Sequence, residues 1–180
     1  MSTSRGDGSV TKAYPSRRDG QGKPICSYCG KPLAGRARRY CSDACKVETY
    51  VRAGVTAEIR HQLTKRDAEI CAVCDLDCRQ LESDLYSLES GAWSWNEDVT
   101  ELNAVARAIQ KRGNRRLVQL GFNEGISLWQ AAHVLAVVEG GGECGIEGYI
   151  TLCVPCHKRD TAELARRMAV ARDPQLELFG

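Results

Sequence analysis

Four segments of the chain are predicted to be helices from the spacing of their apolar residues and from residues typical of helix ends. In the first of these, Ile59 and Leu63 lie four residues apart with charged residues between them, as on one face of an amphipathic helix. The four predicted helices are Thr56–Asp67, Arg79–Glu89, Asn96–Arg112 and Cys156–Ala171.

Two other segments have the composition of β-strands. Leu128–Val138 is apolar and rich in β-branched residues, and the three glycines of Glu139–Gly142 directly after it are a strong turn signal. A second, shorter strand is predicted over Tyr149–Leu152. Helices combined with one short pair of strands predict an α+β fold.

The first 24 residues differ in character from the rest. They contain mainly Gly, Ser, Thr, Lys and Arg with almost nothing to bury, which predicts a disordered basic tail at 1–24. The basic character continues to Arg66: residues 1–66 contain 14 basic and 5 acidic residues, whereas the whole chain has a net charge of only +2. Any polyanion-binding surface is therefore expected to draw mainly on the N-terminal third.

Length and composition limit the class of protein. A chain of 180 residues suits one ordinary domain or two small ones. It contains neither an apolar signal-type segment near its start nor an apolar run long enough to span a bilayer. We therefore expect a soluble cytoplasmic protein without a membrane partner. In a reducing cytosol, its ten cysteines are more readily interpreted as metal ligands than as disulfides.

The first cysteine group has the spacing of a zinc site. Two cysteines separated by two residues are followed, after eleven residues, by two cysteines separated by three. Such pairs can turn both sulfurs towards one tetrahedral ion, and a unit with so few apolar residues would depend on that ion to fold. The predicted structural zinc ligands are Cys26, Cys29, Cys41 and Cys45; free or disulfide-bonded cysteines are the alternative.

The second group joins distant parts of the chain. Two further Cys-x-x-Cys pairs lie 78 residues apart, each beside a predicted turn or strand end. A shared ion would clamp the two halves of a small domain. The predicted ligands of this second structural zinc are Cys71, Cys74, Cys153 and Cys156. Cys78 and Cys144 remain and are interpreted as small, partly buried apolar residues.

Three segments closely resemble the zinc-clamped HNH endonucleases. Trp129–Gly142 carries the tryptophan, histidine and glycine turn, Tyr149–Thr161 carries the Leu-Cys-x-x-Cys-His element, and Arg66–Asp77 resembles the lead-in. The resemblance covers about Lys65–Ala171, interrupted by a helical insertion at about 81–126. The Cys26–Cys45 unit is similar to a zinc ribbon found ahead of such domains.

The resemblance implies a ββα-metal fold and metal-dependent hydrolysis of DNA. His133 on the first strand would be the general base, since an imidazole exchanges its proton near neutral pH. His157 at the start of the last helix would help to hold a catalytic Mg²⁺ or Mn²⁺ ion, which stabilises charge on the phosphate and the leaving oxygen.

The chain departs from the family pattern at two positions. Ala132 stands where the family has an acidic residue or a second histidine, and Gly148 stands where it has asparagine. Hard cations prefer carboxylate and water oxygens, so His157 alone would hold Mg²⁺ poorly. Three explanations remain open: an engineered substitution at Ala132, a decayed nuclease kept for DNA binding, or replacement by Glu147 and Asp160.

Partner-binding residues are predicted from charge and from one tail motif. The basic residues that could follow a phosphate backbone, or simply lie solvated, are Arg36, Arg38, Arg39, Lys111, Arg112, Arg115, Arg116, Lys158 and Arg159. The C-terminal tail resembles the peptide by which bacterial DNA-processing proteins dock on the sliding clamp, and its anchors would be Gln175, Leu176, Leu178 and Phe179. Packing of that tail on its own domain is the alternative.

The sequence as a whole predicts an HNH-type DNA endonuclease that is impaired by Ala132 and Gly148. The alternative is an inactive, zinc-stabilised adaptor that binds DNA and docks on a sliding clamp. The predicted domains are a tail at 1–24, a zinc ribbon at 25–52, a nuclease domain at 56–172 and a peptide tail at 173–180.

Overall fold

The computed structural model describes residues 14–35, 37–89, 122 and 127–172, and the statements below concern these residues. The chain forms two compact units. The first comprises Met1–Arg66 with His133–Ile150, and the second comprises Asp67–Ala132 with Thr151–Gly180. The chain passes between the units within each of two strands, so neither unit is one continuous stretch of sequence.

The first unit begins with a small antiparallel hairpin. Strand β1 (Arg17–Arg18) pairs with β2 (Pro24–Ile25), with Arg17 opposite Ile25. The Asp19 carboxylate accepts the backbone N–H groups of Gln21 and Lys23, at 2.9 and 2.8 Å, which holds the turn. This hairpin includes residues that composition alone assigned to the basic tail.

Two helices follow in the first unit. Helix α1 (Asp43–Arg52), which apolar periodicity did not predict, begins where the Ser42 hydroxyl accepts the Cys45 N–H at 3.3 Å. Helix α2 (Thr56–Asp67) has the predicted bounds. Ile59 and Leu63 are buried on it, so its predicted apolar face is confirmed.

The second unit contains helix α3 (Cys78–Glu89), which confirms the helix predicted from residue 79. Leu81 is fully buried as expected, and Leu85 is partly exposed. The helix also buries a carboxylate: Asp84 is 3% exposed and accepts a hydrogen bond from the Gln80 amide at 2.6 Å. The helix predicted at Asn96–Arg112 lies outside the described residues.

Strands β3 (Trp129–His133) and β4 (Tyr149–Cys153) form the second sheet. The Val134 N–H donates to the Gly148 carbonyl at 2.9 Å, and the Val154 N–H donates to the Leu128 carbonyl at 3.0 Å. The end of each strand therefore lies beside the start of the other, which is the antiparallel arrangement.

The first strand is shorter than predicted, since it ends at His133 rather than Val138. The N–H groups of Glu139 and Gly141 both donate to the Ala136 carbonyl, and Val137–Glu139 forms a single 3₁₀ turn. A Cβ atom at Gly141 would collide with the Leu135 carbonyl, so the turn depends on a glycine there. Hydrophobicity predicted a longer strand here, but the glycines bend the chain away from the ladder.

The last helix, α4 (Val154–Arg172), starts two residues earlier than predicted and runs one residue further. Only Val154 and Cys156 are buried on it, so the helix packs through its first turn. No helix in the described ranges is long and apolar enough to cross a membrane. Helices combined with two small antiparallel sheets confirm the predicted α+β class.

Candidate metal centres and neighbouring histidines

The four N-terminal cysteines converge in the first unit. The sulfurs of Cys26, Cys29, Cys41 and Cys45 all lie within 4.8 Å of one another. The first two are brought together by a tight turn in which the Cys26 N–H donates to Lys31 and the Gly30 N–H returns to Cys26, at 2.8 and 3.0 Å. Gly30 takes a left-handed conformation, with φ +75°, that glycine adopts without strain.

The second cluster is built on the same turn. The sulfurs of Cys71, Cys74, Cys153 and Cys156 also lie within 4.8 Å of one another. The Cys71 N–H donates to Leu76 and the Asp75 N–H returns to Cys71, both at 2.9 Å, while Asp75 has φ 56°. The other pair comes from the end of β4 and the first turn of α4, held nearby by a 2.9 Å bond from the Ala72 N–H to the Thr151 carbonyl.

The sulfur separations favour a metal over disulfides. Cys29 and Cys41 are 3.5 Å apart, as are Cys41 and Cys45, and Cys74 lies 3.7 Å from Cys153. A disulfide would need about 2.05 Å. Sulfurs 2.3 Å from a tetrahedral zinc ion lie about 3.8 Å from one another. All of these cysteines are free, and each cluster could hold a structural zinc ion as predicted.

The pKa values of the thiols diverge within each cluster, because backbone N–H groups lower some of them whereas burial raises those of Cys74 and Cys153. Burial raises the pKa of Cys26, but backbone N–H groups, first that of Cys29, lower it to about 6. Burial also raises the pKa of Cys71, but backbone N–H groups, first that of Cys153, lower it to about 7. A hydrogen bond with Cys29 raises the pKa of Cys41 to about 12. Sulfurs this close cannot all ionise without a cation, and thiolates suit zinc.

One predicted DNA-contacting residue lies against the second cluster. The Arg159 guanidinium donates to the Cys156 sulfur at 2.9 Å, which raises the pKa of the arginine. A zinc ion with four thiolates carries a net charge of −2, so a nearby cation is favourable. Lys158 beside it is exposed.

The remaining predicted partner-binding residues have different surroundings. In the N-terminal loop, Arg38 is exposed, whereas the Arg39 guanidinium donates to the Tyr14 carbonyl at 2.6 Å and lies over the Tyr40 ring. The predicted residues outside the described ranges are Arg36, Lys111, Arg112, Arg115, Arg116, Gln175, Leu176, Leu178 and Phe179.

His133 lies at the end of β3 in the first unit and is half-buried. Its ring contacts that of Tyr149, with centroids 4.4 Å apart and the planes tilted by 43°. Tyr149 is 4% exposed, and burial together with Cys144 raises its pKa to about 12. Sequence reasoning did not identify Tyr149 as a neighbour of the histidine.

Ala132 and Gly148, the two departures from the family pattern, are both confined by packing. Ala132 is 4% exposed, and successive side chains of a strand point to opposite faces, so it faces away from His133. A Cβ atom at Gly148 would lie 2.5 Å from the sulfur and 2.6 Å from the Cβ of Cys144. The Cys144 side chain therefore occupies the space that any larger residue at 148 would need.

His157 follows Cys156 on α4 and is half-buried. It belongs to the second unit, whereas His133 belongs to the first. Glu147 and Asp160, considered as replacement ligands, are both exposed. Among the described residues, the only groups of three or more close His, Cys, Asp or Glu side chains are the two cysteine clusters. This donor set does not fit a hard cation such as Mg²⁺.

Arg66 contributes an unexpected contact in the first unit. It donates to the Ile146 carbonyl at 2.9 Å and to the Tyr149 carbonyl at 2.7 Å, which fixes the chain leading into β4. Charged residues on a helix usually extend into solvent, so nothing in the local pattern of α2 identifies this role.

The chain is similar to three mammalian proteins described as DNA annealing helicase and endonuclease ZRANB3. The Mus musculus, Bos taurus and Homo sapiens proteins are 28%, 26% and 25% identical to it, over 91%, 97% and 93% of this chain. The chain spans about a sixth of their length, with 16%, 17% and 16% covered. No family model matches it, and neither does any solved structure.

Proposed function

We propose that the chain is a DNA-acting module of the HNH endonuclease type whose hydrolytic activity is impaired in this sequence. The main support for this proposal is the order of the elements β3, β4 and α4. His133 lies on β3, and His157 lies on α4 directly after the last cysteine of the second cluster. Similarity to proteins named as both helicase and endonuclease supports a DNA substrate.

His133 is the proposed general base. A half-buried imidazole can accept a proton from the water that attacks a phosphodiester, provided that it is neutral and held in one orientation. Contact with the buried Tyr149 ring restricts how the imidazole can turn. The family resemblance implies that His157 would help to hold a divalent ion, but the donors present do not fit such an ion and no step is derived from it.

The hydrolytic activity is expected to be impaired because few side chains near either histidine could bind a divalent ion. Ala132 offers no ligand atom, Gly148 offers no side chain, and the nearby acids are exposed rather than gathered around an ion. Because the donor set does not fit Mg²⁺ or Mn²⁺, we assign no catalytic step to such an ion. DNA contact is proposed for the exposed Arg38 and Lys158, together with the other predicted basic residues.

Plasmid nicking with Mg²⁺ or Mn²⁺ tests this proposal. We expect weak nicking by the chain itself and loss of that nicking in His133→Ala. His61→Ala is the matched control, because it removes an exposed imidazole on α2. If the chain and His133→Ala both bind DNA and retain their melting temperature, and the two cut equally or neither cuts, the nuclease assignment is wrong.

An inactive adaptor is the second candidate function. The poor fit of a catalytic cation favours it, since DNA binding needs only the zinc-stabilised scaffold and basic residues. The proposed docking segment on a sliding clamp is Gln175–Phe179. Deleting residues 175–180 should abolish clamp binding without lowering the melting temperature. A large loss of stability would instead indicate that the tail packs on its own domain.

A further inference from the structure

The loop between β3 and β4, residues 134–148, exposes large apolar side chains. Four of them lie within five consecutive residues, so the patch spans no more than about 14 Å of chain. The exposed fractions are Val134 61%, Leu135 50%, Val137 58% and Val138 66%. This apolar patch contrasts with β3 directly before it, where Trp129 is 3% exposed. Exposed apolar clusters with a polar rim commonly mark interaction sites.

The loop is held in place by its own backbone and by two arginines. The Glu139 N–H and the Gly141 N–H both bond to the Ala136 carbonyl, at 2.8 and 3.0 Å. Arg52 donates to the Glu143 carbonyl at 3.2 Å, and Arg66 donates to the Ile146 carbonyl at 2.9 Å. Binding of a partner here would cost little conformational entropy, because the loop is already held in place, and this favours affinity.

The charge of the loop indicates what kind of partner it suits. Every charged side chain between residues 134 and 148 is a glutamate, and Glu139, Glu143 and Glu147 are all exposed. The loop contains neither lysine nor arginine. These carboxylates attract cationic side chains, whereas Arg52 and Arg66 donate to backbone carbonyls of the loop.

We propose that the apolar patch and its three glutamates form a docking site for a basic, amphipathic segment of a partner protein. Apolar side chains of that segment cover Val134, Leu135, Val137 and Val138, while its lysines or arginines lie beside the glutamates. Apolar anchors supply most of the affinity at such a site, and the charges select the partner and speed its association. The proposal does not depend on nuclease activity.

The test uses the full chain loaded with zinc and a labelled amphipathic peptide of leucine and lysine, followed by fluorescence anisotropy. A peptide with glutamate in place of lysine is the reference. We expect the lysine peptide to bind at least about tenfold more tightly. Val137→Ser combined with Val138→Ser should weaken its binding by a similar factor, as should Glu139→Gln, Glu143→Gln and Glu147→Gln together.

Matched controls lie elsewhere on the surface. Tyr86→Ser replaces another exposed apolar side chain, 72% exposed on α3, and Glu163→Gln removes an exposed charge on α4. Neither should change peptide binding, and all variants should retain the melting temperature. Equal binding of both peptides, or equal losses in the controls, would overturn the proposal.

Two other occupants would also overturn it. If sedimentation shows self-association that the valine variant abolishes, the patch is covered by a second copy of the chain. If duplex DNA competes with the peptide, and the valine variant loses DNA binding to the same extent, the patch belongs to the DNA surface.

Discussion

Each of the two clusters contains four cysteine ligands, but the two clusters bring together different parts of the chain. In the first, the sulfurs that meet come from nearby residues, 12 positions apart for Cys29 and Cys41. In the second, Cys74 and Cys153 are 79 positions apart. Closing the longer loop costs about 1.7 kcal/mol more chain entropy. The second cluster therefore fixes tertiary structure, whereas the first organises only its own segment.

The second cluster is also more buried than the first. Cys29 and Cys41 are exposed, and of the first four only Cys26 is buried. In the second cluster three cysteines are buried, and the buried Leu152 and Val154 flank Cys153 along the chain. Four cysteines can therefore serve either as a local scaffold or as part of a core, depending on what surrounds the sulfurs.

The largest expected effect separates the clusters directly. Cys153→Ser should remove one zinc ion per chain and abolish cooperative unfolding of the second unit, because zinc binding contributes about 10 kcal/mol or more to small metal-dependent folds. Cys29→Ser should also remove one zinc ion while leaving that transition in place. Metal analysis and thermal unfolding followed by circular dichroism measure both effects.

Cys78→Ala is the control for these variants, since Cys78 is buried but lies outside both clusters. It should retain two zinc ions with only a small loss of stability. The comparison fails if Cys29→Ser and Cys153→Ser lower stability equally, or if the purified, reduced protein contains no zinc.

A second variant should destabilise the first unit without changing the zinc content of the protein. Gly148→Ala should cost about 3 kcal/mol, because the added Cβ meets the Cβ of Cys144, which cannot rotate away. Adding Cys144→Gly should recover most of this loss. A double-mutant cycle in urea measures the coupling, with zinc content expected to stay constant; additive losses would contradict it.

A third prediction concerns the packing beside the second cluster. Thr151 is fully buried, and its hydroxyl donates to the Asp67 carboxylate at 2.8 Å. Thr151→Val should cost about 2 kcal/mol, because it keeps the shape but removes one donor from the half-buried carboxylate of Asp67. Thr151→Ser should cost less. An unchanged denaturation midpoint in Thr151→Val would show that the bond contributes nothing to stability.

The smallest expected effect is kinetic. Zinc should leave the exposed first cluster at least about tenfold faster than the buried second cluster, which corresponds to about 1.4 kcal/mol in the barrier. A colorimetric chelator mixed with the protein should therefore reveal two phases of equal amplitude. The fast phase should be absent in Cys29→Ser, and its survival in that variant would reverse the assignment.

Sequence reasoning performed best where the signal was local. The apolar spacing of Ile59 and Leu63 predicted α2, and the paired cysteine spacings predicted both clusters. It overestimated β3, because apolar composition at residues 134–138 does not reveal that the following glycines turn the chain. It missed α1, where Val47 and Val51 are also four residues apart, because that segment was interpreted only as part of the zinc ribbon.

Which residues could form the metal clusters follows from the sequence alone, since a Cys-x-x-Cys turn is a local structure. Only Gly30 and Asp75 need unusual backbone angles within those turns, and both are residue types that tolerate them. Tertiary structure alone decided that Cys144 fills the space beside Gly148, that Tyr149 contacts His133, and that Arg66 holds the loop before β4. Such contacts join residues far apart or around a bend, and their free energies depend on packing geometry that no local pattern encodes.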